Sequence, residues 1–371
     1  LLGLPLELRE HIYSYILHPV EVRVHQGKQT RYKYDLSLFR VNHQVYHEAR
    51  DIFRKLNVFT RIETPWPEAE MHIAEEGKVP IVASGKNAND CPDARLIVDI
   101  SAFQFDFQHA KHDMLLLVQD LPAFAKSWMY SDLSHLGLNS HLRLILTLRD
   151  PFPSNPDKPE PLPKALQQKL LLPFGDIKNL DRTTVNGLAD PAVVSALTAA
   201  QNIPYKTPEE CLEESTRLLN EGVALLNKDQ FDDAKRLFEQ SFLAIHIVVD
   251  GRERSIWANA YFEAILRYGP GRGWHGQMTR LFLRVQLVAE MCSLYLKQKK
   301  WTEVKFWGMR SISLLRESMG VERDEDDEPV RGFVLGEHMG MIYLRTGIAC
   351  MRLGELEQAK NLLKVASGYI P

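Results

Sequence analysis

The feature that most constrains this chain is a spacing that recurs in its last third. In "LLNEGVALLNKDQFDDAKRLFEQSF", Gly222, Phe231, Ala234 and Phe238 set small and large residues at fixed offsets. In "YLRTGIACMRLGELEQAKNLLKVASGYIP", Gly347, Leu356, Ala359, Leu363 and Pro371 repeat those offsets. Apolar residues at helical spacing on both sides of a short polar turn predict two helices folded back on each other. The small residues let the two helices approach, and the large ones fill the space between units. Such a pair cannot bury its apolar faces alone, so it must stack on further copies.

A third copy, "AEMCSLYLKQKKWTEVKFWGMRS", is more degraded. It has Cys292 at the small position, then Tyr295 and Trp301, but Val304 where Ala is expected and Gly308 where a large residue is expected. Gly222 and Cys292 lie about two periods of roughly 34 residues apart, which predicts a cryptic unit around "RSIWANAYFEAILRYG". Thr207, Pro208, Glu209 and Glu210 supply an N-cap, a first-turn proline and acids at the positive helix end, and so open a helical domain over 207–371. These offsets resemble the tetratricopeptide repeat. That resemblance implies an all-α superhelix whose concave groove holds a peptide or helix of a client protein. Helical offsets assign the groove to Leu219, Val223, Leu344, Ile348 and Arg352. A carboxylate clamp for acidic chaperone tails needs Lys and Asn where Leu219 and Val223 stand, which argues against that ligand. The acidic run Asp324, Glu325, Asp326, Asp327 and Glu328 reads as a solvated loop, without the spacing or glycine of a calcium-binding loop.

The middle, 60–202, reads as an α/β domain. "ARLIVDIS" and "HLRLILTLRD" are strand candidates, Asp113 to Trp128 reads as a helix, Lys164 to Leu172 as a helix, "NLDRTTVNG" as a strand and Pro191 to Ala200 as a helix. That alternation predicts βα units with parallel strands. The expected fold class is therefore α+β multidomain: N-terminal helices with a small hairpin around Gln26-Gly27-Lys28 over 1–59, the α/β domain, and the repeat superhelix.

The opening "GLPLELREHIYSYIL" places Pro5 where a helix starts. Leu8, Ile12, Tyr15 and Ile16 form an apolar stripe, with Glu7, Arg9, Glu10 and Ser14 elsewhere. Leu36, Phe39, Val41, Val45, Ala49, Ile52 and Phe53 mark one or two further helices. With "LSLFRVNHQVYHEARDIFRKLNVF" following, residues 2–59 resemble the F-box in its divergent filamentous-fungal form. The stretch Glu21 to Asp35 departs from it as an insertion. The resemblance implies docking onto a Skp-family adaptor that bridges to a cullin, with adaptor contacts from Leu4, Pro5, Leu8, Ile12, Ile16, Leu36 and Val41. The implied function is a ubiquitin-ligase substrate receptor; the alternative is an interaction scaffold in which these helices are purely structural.

A formal net charge of -3 argues against a chain built mainly to neutralise nucleic acid, and leaves room for a local basic patch. Four scattered cysteines give no disulfide or zinc pattern. No apolar run is long enough to cross a membrane and no secretory signal is read, so an intracellular protein of cytoplasm or nucleus is expected. His43 and His47 beside Glu48, and His109 and His112 beside Asp113, lack further ligands and read as ordinary surface or interface histidines. Gly269 to Gly276 reads as a loop with Arg272 and Trp274 at its lip, and Gly175 as a helix end. No nucleophile-elbow or phosphate-loop motif is present, so neither an enzyme nor a cofactor is expected.

Overall fold

The computed structural model describes residues 2–26, 29–102, 111–153, 155, 157, 160–269, 271–320, 327–330 and 332–370. The chain falls into two units, Leu1–Tyr205 and Lys206–Pro371. It is mixed α/β, with a six-stranded sheet in the first unit and helices in the second.

The first unit opens with α1 (Leu6–Leu17), a two-stranded hairpin of β1 (Arg23–Gln26) and β2 (Gln29–Tyr32), a 3-10 turn (Leu36–Arg40) and α2 (His43–Leu56). The sheet is built from β3 (Phe59–Thr64), β4 (Ala83–Ser84), β5 (Ala94–Ala102), β6 (His112–Leu117), β7 (Leu142–Leu148) and β8 (Arg182–Asn186). Short helices α3 (Ala69–Met71) and α4 (Lys86–Asn89) and longer ones α5 (Leu121–Ser134), α6 (Lys164–Leu171) and α7 (Pro191–Asn202) connect the strands.

Strand order is β4-β6-β3-β5-β7-β8. Only β3 with β5 and β7 with β8 run parallel; β6 on β3, β4 on β6 and β7 on β5 are antiparallel. The expected all-parallel βα pattern is thus corrected to a mixed sheet. The cause lies in "DMLLL", expected as helix and folded as β6. Met114 and Leu116 face one core with Leu96, Val98 and Leu146, while Leu115 and Leu117 face another with Tyr32, Phe59 and Ala88. A strand covered on both faces has a continuous apolar run, which periodicity cannot tell from a helix. The expected strands at Ala94–Ala102 and Leu142–Leu148 and the helices at Lys164–Leu171 and Pro191–Asn202 are present.

Among the described residues the second unit contains three helix pairs: α8 (Pro208–Leu226) with α9 (Phe231–Ala244), then α10 (Gly276–Lys297) with α11 (Trp301–Met319), then α12 (Gly336–Arg352) with α13 (Leu356–Tyr369). Thr207 and Glu210 close a capping box at the start of α8. Each pair turns through the same device. Asp229, Lys299 and Gly354 adopt left-handed backbone, and the next amide donates to a carbonyl five residues back, from Gln230 to Leu225, Lys300 to Tyr295 and Glu355 to Cys350. This is the hydrogen bond that terminates a helix on a left-handed residue.

Small residues set the approach inside each pair. A Cβ on Gly222 would lie 2.6 Å from the Phe238 ring, and one on Gly347 would lie 2.8 Å from Leu363. In the middle pair Cys292 takes the glycine's place and Gly308 takes the large residue's, and Thr346 of the following pair packs against Gly308. The degraded copy is therefore a size exchange. No helix pair occupies the segment expected to hold a cryptic unit. It forms a hairpin of β9 (Ile247–Asp250) and β10 (Glu253–Ile256), turned at Gly251 with φ +56°, followed by a 3-10 turn (Ala260–Phe262). The β-branched run "IVV" and the Asp-Gly turn favour a hairpin over a helix there. Among the described residues no helix is long and apolar enough to cross a membrane.

Candidate protein-interaction surface

The first helix is held by its polar side. Arg9, Tyr13 and Leu17 are its buried residues, one turn apart along a single ridge. Arg9 Nε and Nη2 donate to the two Glu48 oxygens at 2.9 and 2.6 Å, a two-pronged pairing of guanidinium and carboxylate. The Tyr13 hydroxyl donates to Glu48 Oε2 at 3.0 Å and Gln44 Nε2 donates to Oε1 at 2.9 Å. These donors, Arg9 first, hold the Glu48 carboxyl down at about 2. Burial, then the bond to Glu48, pushes the Tyr13 phenol above its ordinary range.

Both ends of α1 are tied as well. Arg9 Nη1 donates to the Leu4 carbonyl, and Asn57 Nδ2 donates to the Leu17 carbonyl at 3.1 Å. Beneath these bonds Tyr13 and Leu17 pack with Val45, Ala49 and Ile52, flanked by Leu38 and Phe39 of the 3-10 turn. The stripe of Leu8, Tyr15 and Ile16 stands outside, and Arg9, read from the sequence only as lying off that stripe, belongs to the buried ridge.

Of the residues assigned to adaptor contact, Leu4, Pro5, Leu8, Ile16, Leu36 and Val41 are exposed and Ile12 is half-buried. Leu8 is 51%, Leu36 48% and Val41 61% exposed. Leu8, Ile12 and Ile16 share one ridge at four-residue spacing. Leu2, Leu6, Tyr15 and Val20 add further exposed apolar surface around the same helix. Scattered exposed leucines are normal on any protein, but a cluster on and beside one short helix makes this the candidate interaction surface.

The inserted hairpin is anchored on the sheet. The Tyr32 hydroxyl donates to Asp120 Oδ2 at 2.8 Å, and burial pushes the Asp120 carboxyl up to about 6. Tyr34 donates to Asn57 Oδ1, so the insertion also steadies the residue that caps α1.

In the second unit the expected groove residues part company. Leu219 is a core residue with Phe238 and Cys292, which corrects its groove assignment: it lies on the α8 face that carries Ser215, Gly222 and Leu226 inward. Val223 and Leu344 are half-buried at the core's edge, Ile348 is half-buried, and Arg352 is exposed. Asp327, expected in a solvated acidic loop, is also corrected. It is buried, accepting from Arg316 Nε at 2.6 Å and the Tyr343 hydroxyl at 2.8 Å. Asp324, Glu325 and Asp326, together with His109, Pro371 and the Gly27-Lys28 turn, lie outside the described residues. His43 and His47 are exposed, and no metal-holding group of His, Cys, Asp and Glu occurs among the described residues.

One arrangement that sequence reading missed has the parts of a hydrolytic triad. His72 Nε2 lies 3.0 Å from Ser131 Oγ and His72 Nδ1 lies 2.8 Å from Glu76 Oε2, beside an apolar recess of about 280 Å³. Ser131, however, sits inside α5 and its hydroxyl donates to the Ser127 carbonyl at 3.1 Å. Amides within a helix are committed to the i−4 ladder, so the backbone offers no donors for an oxyanion at this serine. The surface of α1 is the stronger candidate site. Comparisons of the chain with protein-family models, curated proteins and solved structures found no match.

Proposed function

We propose that this chain is a non-catalytic substrate receptor of F-box type. The N-terminal helices dock a Skp-family adaptor that leads to a cullin ligase, and the sheet and repeat regions hold a client protein. On this reading the second unit is a tetratricopeptide-like superhelix, supported by its three helix pairs with one shared turn geometry. Its client groove is lined by Val223, Leu344, Ile348 and Arg352, with Leu219 behind it.

One observation carries the adaptor half. Leu8 and Ile16, with Leu4 just before the helix, are left outward and Ile12 half-buried between them, on a helix whose other side is fixed by Arg9, Tyr13 and Glu48. A rigid apolar ridge with its own polar clamp binds without first having to order itself, which favours a partner protein over solvent. Pro5, Leu36 and Val41 extend the surface.

Binding of the full chain to purified Skp-family adaptor, measured by calorimetry and by recovery of cullin, tests this. Leu8→Asp with Leu36→Asp should weaken adaptor binding by about 30-fold or more, the size of a hot-spot loss, with unchanged melting temperature. Absence of binding by the unaltered chain would remove the receptor and leave an interaction scaffold.

A further inference from the structure

The first unit has a second recess, larger than the one beside His72. It is an open groove of about 980 Å³ bordered by the end of α2, the start of β5, the turn after β6, and α6. Four cations line it: Arg54 and Lys55 of α2, Arg95 of β5 and Lys169 of α6. Among the described residues no carboxylate and no aromatic ring lines it. The rest of the lining is mostly aliphatic, with Val58, Val118, Leu166 and Pro173.

One of the four cations is answered by an acid. Arg54 Nε lies 3.6 Å from Asp93 Oδ2, and the Arg54 guanidinium rests 3.6 Å over the Phe152 ring. Arg95 lies over the same ring at 5.9 Å and has no acidic partner among the described residues. A ring face steadies a guanidinium without cancelling its charge. Lys55 and Lys169 are exposed and likewise have no acidic partner among the described residues. Elsewhere in this unit cations are paired, as Arg9 is with Glu48, Arg143 with Asp181, and Lys164 of α6 itself with Asp190. A groove that gathers positive charge and keeps acids out of its lining draws in an anionic ligand.

We propose that this groove binds an extended acidic segment of the client protein, one in which Asp or Glu alternates with aliphatic residues. The volume stands at the top of the range of roughly 300–1,000 Å³ that small-molecule sites offer. The open mouth suits a chain running along the groove better than a compact molecule enclosed by it. The aliphatic lining calls for aliphatic side chains on the ligand. Single-stranded nucleic acid, the other common polyanion, is held by stacking its bases on aromatic rings, which this lining does not supply. The site rests on the client-holding role proposed above for the sheet region, and the ridge on α1 plays no part in it.

Fluorescence anisotropy of the full chain at low ionic strength tests this, with a labelled peptide alternating Glu and Leu, its twin with Gln for Glu, and a single-stranded DNA of equal charge. The expected result is saturable binding of the Glu–Leu peptide, about tenfold or more tighter than its twin and weakened by added salt. Arg95→Gln with Lys169→Gln should weaken that binding about tenfold or more at unchanged melting temperature, since neither side chain holds an ion pair. Arg95→Lys with Lys169→Arg, which keeps both charges, should retain it. Lys360→Gln with Lys364→Gln, an equal loss of charge at exposed positions of α13, should leave it within about twofold. Absence of saturable binding by the Glu–Leu peptide overturns the proposal, as does equal binding by the Gln twin, tighter binding by the DNA, or binding that survives Arg95→Gln with Lys169→Gln. Self-association of the chain that this same pair abolishes would give the groove to a second copy, and overturns it too. Calorimetry against purified adaptor on the same preparation keeps the two readings apart. Peptide binding without adaptor binding upholds the groove and removes the receptor, and adaptor binding without peptide binding does the reverse.

Discussion

Helices α1 and α8 are both amphipathic, yet they are held by opposite sides. In α8 the apolar face, Leu212, Leu219 and Leu226, enters the core and the charged face meets water. In α1 the ridge that enters the core begins with an arginine, and the apolar ridge meets water. A two-pronged ion pair with a shared tyrosine hydroxyl fixes direction where hydrophobic contact alone would not, since apolar burial has no preferred angle. An apolar stripe thus reports a surface that needs covering, and tertiary partners decide whether the same chain covers it.

The widest separation between the two helices should be in stability. Phe238→Ala, which empties the space against Gly222, should cost about 3–5 kcal/mol in denaturant unfolding of the second unit. Leu8→Ala, on the outward ridge of α1, should stay within about 0.5 kcal/mol. A loss at Leu8 comparable to that at Phe238 would break the comparison.

A second measurement sharpens it through pH. Asp120, which anchors the inserted hairpin through Tyr32, has a carboxyl raised from its ordinary value of 3.8 to about 6. The folded state holds that proton more tightly than the unfolded state, so the contribution is fully present below about 3.8 and fades as pH rises through about 6. Relative to Asp120→Asn, the unaltered chain should lose up to about 3 kcal/mol between pH 4 and pH 7, read from melting at each pH.

The smallest expected effect has the opposite sign. Glu48 is held below its ordinary value of 4.5, at about 2, so its contribution is present above about 4.5 and lost as pH falls towards about 2. Glu48→Gln should lower the melting temperature at neutral pH and flatten that acid limb. Hydrogen exchange should then quicken in α1 and leave α8 unchanged. An unaltered acid limb would show that the ion pair does not hold the helix.

Much of the fold was legible where local rules and tertiary demand agreed. The capping box at Thr207, the Gly222–Phe238 and Gly347–Leu363 contacts and the alternating strands at Ala94 and Leu142 all follow from spacing and side-chain size. The Arg9–Glu48 pair was not legible, because 39 residues separate its members and neither helix records where the other lies. Leu219 shows the converse. Its helical offset assigned it to the groove, but a helix has several apolar offsets, and the packing of α9 and α10 took this one into the core.

By itself the sequence determined which segments are amphipathic, where helices begin and turn, and which residues are small enough for close approach, since these depend on neighbours within a few positions. Only the tertiary structure decided that β6 lies between two cores and that α1 turns its leucines outward. Each of those outcomes is a sum of contacts between distant residues, and a one-dimensional pattern carries no term for them.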